Sequence, residues 1–180
     1  MRSPTVSGAG FTLLELVVVV CVVAVLVAVA LERLMRYAEL AEHAAMEQTV
    51  GTLRAAMHIR AAAYIATQQV ERIASLPSQN PFDWLAEAPG NYAGALFDPA
   101  PGDVETGRWY YERKEGLIVY LPRRTRYFVP GPDGRKWVRF RALHAEAPFG
   151  QQRDLRSPLR EITALAISPV RPYNWFQDRQ

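Results

Sequence analysis

The chain has 180 residues, a formal net charge of +3, one cysteine and three histidines, enough for one folded domain beside an apolar segment and too little for two. Its single Cys21 excludes an intrachain disulfide, and with His43, His58 and His144 standing far apart the ligand spacing of a structural zinc site is missing. The small net charge hides an asymmetry, since residues 11–107 carry 5 basic and 11 acidic side chains and residues 108–143 carry 10 basic and 3 acidic ones. Opposite blocks of this kind steer association between unlike faces, an effect that weakens as salt rises.

Residues 1–10 hold one charged side chain, Arg2, and residues 11–31 are apolar apart from Thr12 and Glu15. A run of this length crosses a bilayer as a helix. An ionised Glu inside it costs about 2.5–3.5 kcal/mol on insertion scales, so the default reading of Glu15 is a functional group with a specific partner. Two plainer readings stand beside that one. The run is long enough to be a simple anchor. Residues 1–30 also parse as a secretory signal, with Arg2 in front, an apolar core and Ala28-Val29-Ala30 as the cleavage site, so that the mature chain would start at Leu31. Glu15 has no role in a disposable signal. Arg2 favours a cytoplasmic amino terminus, while Arg33 and Arg36 beyond the run pull the other way.

No proline occurs in residues 5–76, and the residues after the apolar run are rich in Ala, Glu, Leu, Arg and Met, all good helix formers. One helix over about residues 12–75, roughly 95 Å long, is predicted, ended by Pro77 and Pro81. Leu34, Tyr37, Ala41, Ala45, Val50, Leu53, Met57, Ile65 and Ile73 form its candidate core stripe. Residues 32–76 are thus an amphipathic continuation of the apolar segment. Gly51 is its weak point, about 1 kcal/mol worse than Ala in a helix interior. Glu39, His43 and Glu47 recur every four residues; that spacing can hold a divalent metal, and a solvated polar face explains it more simply.

Residues 77–107 read as a connecting loop, packed through Phe82, Trp84, Tyr92 and Phe97. From 108 to the end, strand signals dominate. Residues 108–113 and 117–121 flank Lys114-Glu115-Gly116 as a hairpin, and 126–129 and 136–143 flank a second turn, Pro130-Gly131-Pro132-Asp133-Gly134. In the last of these, Val138, Phe140 and Ala142 would face the helix, and Trp137, Arg139 and Arg141 the solvent or a neighbour. Residues 161–168 add a final strand before a tail with Tyr173, Trp175 and Phe176. The expected fold is α+β, a long amino-terminal helix packed against an antiparallel sheet of about four strands.

Gly10-Phe11-Thr12-Leu13-Leu14-Glu15-Leu16 followed by the valine-rich run resembles the cleavage and methylation signal of type IV pilins and type II secretion pseudopilins. The resemblance is specific over about these seven residues, and such proteins share the helix, loop and sheet order read above. It implies that a prepilin peptidase cuts between Gly10 and Phe11, where a residue without a Cβ admits the protease closely, and that the new amine of Phe11 is methylated. It further implies that Glu15 pairs with that amine on a neighbouring subunit, each charge offsetting the burial of the other. Thr12 would help orient the pair or bond back to its own helix. By the same resemblance the leader lies in the cytoplasm, the apolar helix makes a single span of the inner membrane, the soluble part is periplasmic, and the partners are other pilin or pseudopilin subunits. The chain departs from the family at Ala9, where Lys or Arg is common, and at Glu32, where many members have Pro, so no kink is predicted there. Its lack of a carboxy-terminal disulfide resembles pseudopilins and minor pilins more than major pilins.

Arg123, Arg124, Arg126, Arg139 and Arg141, with Arg135, Lys136, Trp137 and Tyr127 among them, form a candidate basic partner surface. Such a surface suits the acidic face of an adjacent subunit or, as an alternative function, DNA, whose phosphates need cations and whose bases need stacking rings. Asp98, Asp103 and Glu105 could offer oxygen ligands to calcium, though no calcium motif is matched. No nucleophile motif or phosphate-binding glycine loop is present in the sequence. The expectation is a structural protein, without catalysis, metal or cofactor.

Overall fold

In the computed structural model, residues 12–144 and 165–176 are described. The chain divides into two compact units, Met1–Ala38 and Glu39–Gln180. Helix α1, Leu13–Ala66, supplies residues to both. It is α-helical throughout its 54 residues because nothing in it removes a backbone donor and its residues are mainly strong helix formers. Gly51 is accommodated without a break, and its Cβ position is open.

The α-helix ends at Ala66, nine residues before the expected Ser75. Gln68 adopts a left-handed φ of +57°, Gln68 N–H donates to Ile65 C=O at 3.0 Å, and Gln69 N–H donates to Tyr64 C=O at 2.8 Å. This pair of bonds is a Schellman termination, which satisfies the last carbonyls and usually uses glycine. Val70–Ser78 then forms a 3₁₀ helix that contains Pro77, and Pro81–Trp84 forms another, capped by Asn80, whose side chain accepts from Phe82 N–H. The prolines therefore shape the stretch after α1 instead of stopping it.

Among the described residues seven strands follow: β1 Tyr92–Leu96, β2 Arg108–Glu112, β3 Leu117–Leu121, β4 Phe128–Val129, β5 Val138–His144, β6 Leu165–Pro169 and β7 Asn174–Trp175. The main sheet has five of them, in the order β1-β2-β3-β5-β6. It is mixed, since β1 runs parallel to β2 while the other pairs are antiparallel. Strand β1 lies inside the stretch read as a loop. Its Tyr-Ala-Gly-Ala-Leu has one aromatic and no β-branched residue, and its register shifts around Gly94, whose φ is +100°. The hairpin β2–β3 forms as expected, with Gly116 supplying a φ of +68° and the Glu112 carboxylate accepting from Lys114 and Glu115 N–H.

The second expected hairpin does not form. β4 pairs with β7 in a separate two-stranded ribbon, not with β5. Pro130 and Pro132 offer no N–H to a ladder, and the turn between them redirects the chain. Of the last predicted strand, residues 161–164 lie outside the described residues, and β6 begins at Leu165.

The core joins Met46, Val50, Leu53, Met57, Ala61 and Tyr64 of α1 to Trp109 and Tyr111, Ile118 and Tyr120, Val138, Phe140 and Ala142, and Leu165 and Ile167 of the sheet. Of the stripe read from the sequence, Val50, Leu53, Met57 and Ile73 are buried, whereas Leu34, Tyr37, Ala41 and Ala45 are exposed. The far face of β2 and β3 is also covered, by Val104, Leu96, Leu121 and Trp137 against Tyr110, Leu117 and Val119. The one-sided alternation expected of a half-solvated sheet holds for β5 and fails for the central strands.

Candidate functional site

The start of α1 combines a cap, a carboxylate and an apolar run. Thr12 is the N-cap: its Oγ1 accepts from Glu15 N–H at 3.2 Å and its carbonyl accepts from Leu16 N–H at 3.1 Å. Thr12 thus bonds back to its own helix. Thr12-Leu13-Leu14-Glu15 has the spacing of a capping box, and an acidic group in the first turn is favoured by the helix dipole. Among the described residues the Glu15 carboxylate has no ion-pair partner. Every residue from Thr12 to Tyr37 is exposed. This is one helix long and apolar enough to cross a membrane. Gly10 and Phe11 lie outside the described residues.

A second group of acidic side chains begins where the folded unit begins. Glu39 is 2% exposed, yet its Oε1 accepts from Tyr127 N–H at 3.0 Å and from the Trp175 indole N–H at 2.9 Å. Glu42 accepts from the Tyr120 hydroxyl, from Arg123 and Arg124 N–H, and from the Arg124 guanidinium. Glu47 accepts from the Tyr173 hydroxyl. His43 stands between them with its ring edge-on to Trp175 at 5.1 Å and to Tyr173 and Phe176 at 6.2 Å. The Glu39, His43, Glu47 face is therefore not left to solvent alone; it is the seat of the carboxy-terminal segment. Burial, followed by the adjacent Glu42 carboxylate, raises the Tyr120 hydroxyl pKa well above its usual range, and burial with the bond to Glu47 does the same for Tyr173. The signal for this arrangement was in the sequence as a helix face and an aromatic tail, but nothing local told which would meet which.

Of the basic residues, Arg123, Arg124, Arg126 and Arg141 are exposed and Arg139 is partly buried, and most of them have partners within the chain. Arg124 is held by Glu42, and Arg126 lies over the Tyr127 ring. Arg123 packs so closely on Gly107 that a Cβ there would stand 3.0 Å from its guanidinium. Arg135 and Arg139 cover Trp137 at 4.8 and 4.6 Å from its ring centre. The Trp137 N–H donates to Asp133 at 3.0 Å, and Arg139 approaches the same carboxylate at 3.9 Å. Desolvation opposes ionisation of Asp133, but the Arg135 N–H, the Trp137 N–H and the Arg139 charge outweigh it and lower its pKa. Tyr127 stacks on Phe176. Guanidiniums lie over the Trp137 ring, so both rings already carry stacking partners from within the chain. Arg141 is exposed on β5.

The acidic residues considered for calcium are also separately engaged. Asp98 pairs with Lys114 at 2.6 Å, Asp103 accepts from Ala100 N–H, and Glu105 pairs with Arg108. Among the described residues no group of three His, Cys, Asp or Glu side chains is placed to hold a metal. Comparison of the chain with known protein families, curated proteins and solved structures gives no match.

Proposed function

We propose that the chain is a structural subunit, a minor pilin or pseudopilin, of a type IV pilus or type II secretion-type filament. Prepilin peptidase would cut between Gly10 and Phe11 and methylate Phe11. The processed helix would hold the subunit in the inner membrane with its folded unit in the periplasm, and then carry it into the filament by exchanging lipid contacts for helix contacts. The work is assembly, not catalysis.

The observation that carries this reading is Glu15: an ion-pair-free carboxylate, among the described residues, in the first turn of a helix whose next sixteen side chains are apolar and exposed. A neighbour's amine would neutralise it and set axial register. The folded unit supports the same reading, since α1 continues from the apolar segment into the core without a break. The test is the mass and amino-terminal sequence of the protein extracted from its native host. An N-methylated Phe11 is the expected result. A terminus at Leu31 would mean a conventional signal peptide and a secreted domain, and an uncut membrane-bound chain would mean a plain anchor; either would end the filament reading.

A further inference from the structure

The turn between β4 and β5 and the segment between β6 and β7 enclose a pocket of about 250 Å³. Its walls include Pro130, Pro132 and Trp137, and its charged groups are Arg139, Arg171 and Asp133. Val170 N–H donates to Arg139 C=O at 2.8 Å, which brings Arg171 beside the strand that carries Arg139. Arg139 approaches the Asp133 carboxylate, which also accepts from Arg135 N–H and the Trp137 indole, while Arg171 lines the same pocket as a second guanidinium and leaves it with one cation in excess. Among the described residues Arg171 is exposed and has no ion-pair partner. A pocket this small falls below the roughly 300–1,000 Å³ of sites for whole small-molecule ligands. It suits one acidic side chain.

The chain carries a matching feature. From residue 73 to residue 107 it has five acidic residues and no basic one. Asp98 and Glu105 of these are ion-paired, and Asp83 and Asp103 accept hydrogen bonds. Glu87 is exposed, has no partner among the described residues, and stands between Ala86 and Ala88, which are exposed as well. It lies between the second 3₁₀ helix and β1, an edge strand, whereas the pocket lies by β5, with β2 and β3 intervening in the sheet.

We propose that the pocket receives Glu87 of a second copy of the chain, with Arg139 and Arg171 as its binding cations. This rests on the subunit reading above and names a contact within it. The two surfaces differ, so the contact is heterologous and passes from copy to copy, giving a ring or an open helix according to its rotation.

The full chain in detergent micelles tests it. With Arg171→Lys in place, a zero-length carbodiimide should join the amine at position 171 to Glu87 of another molecule. Glu87→Gln should remove that link, and either single reversal, Glu87→Arg or Arg171→Glu, should lower the oligomer fraction by at least about fivefold. Combining the two reversals should restore it. Absence of the 87–171 link, or failure of the double reversal to recover association, would overturn the contact. So would tight binding of a single-stranded oligonucleotide abolished by Arg171→Glu, which would give the pocket to a phosphate. The assay needs no intact filament, so its failure leaves the Glu15 reading standing, and a Leu31 terminus would sink that reading without touching the link.

Discussion

Trp175 donates its indole N–H to Glu39 at 2.9 Å across a separation of 136 residues, and it closes the folded unit on itself. Glu39 has a second donor in Tyr127 N–H. Removing the indole leaves a buried carboxylate short of one bond, a loss of about 1–3 kcal/mol. Trp175→Phe should therefore lower the stability of the folded unit by that amount in urea unfolding. Glu39→Ala should cost at least as much, because it leaves two donors unmet. An unchanged midpoint in both variants would refute the role assigned to the pair.

The two tyrosines that donate to helix carboxylates give the folded unit an alkaline limit. Their pKa values are raised on folding from 10.0, by burial first and by Glu42 and Glu47 next. A raised folded-state pKa means that the unfolded chain releases these protons first as pH climbs. The stabilisation is complete below about pH 10 and is lost progressively above it. Unfolding followed by circular dichroism should show a midpoint that falls from about pH 10 upward. In the double variant Tyr120→Phe, Tyr173→Phe the neutral-pH midpoint should be lower and the alkaline fall shallower.

Glu15 is expected to matter for assembly and not for insertion. Breaking a buried ion pair by removing one partner costs about 3–5 kcal/mol. Glu15→Ala should fractionate with membranes as the parent does, while its incorporation into filaments drops by more than about tenfold. Normal incorporation would remove Glu15 from the register mechanism.

Two exposed positions in and after α1 call for opposite substitutions. Gly51 is helical with open space at its Cβ position, and Gln68 is left-handed at φ +57°. Gly51→Ala should stabilise the folded unit by up to about 1 kcal/mol. Gln68→Gly should gain a similar amount by relieving the left-handed strain. Thermal unfolding of the two variants and their combination checks both, and because the sites are far apart the effects should add.

What the sequence made legible follows the range of the interactions involved. The long helix, the β2–β3 hairpin and the inward face of β5 are written in local periodicity and turn residues, and all three appear. The end of α1 was misplaced because the termination uses Gln68 where a glycine would have announced it. β1 was missed because a Gly-and-Ala segment becomes a strand only when β2 offers an edge. The β4–β7 ribbon and the seating of the tail on Glu39, His43 and Glu47 join residues far apart in the chain, and no local pattern encodes such partners. At the candidate site, Glu15 and the apolar run could be read directly, while the dispersal of the arginines among Glu42, Trp137 and Tyr127 could not.

The clasp of Trp175 on Glu39 also orders events in time. Synthesis delivers the helix well before its latch, so Glu39 has only the Tyr127 N–H to meet it until the indole 136 residues further on is made. Until then the Glu39 carboxylate lacks one of its two donors and the core lacks the Trp175 ring. Completion of this unit is thus tied to synthesis of residue 175, and a polypeptide cut short before it would leave the helix without that fastening.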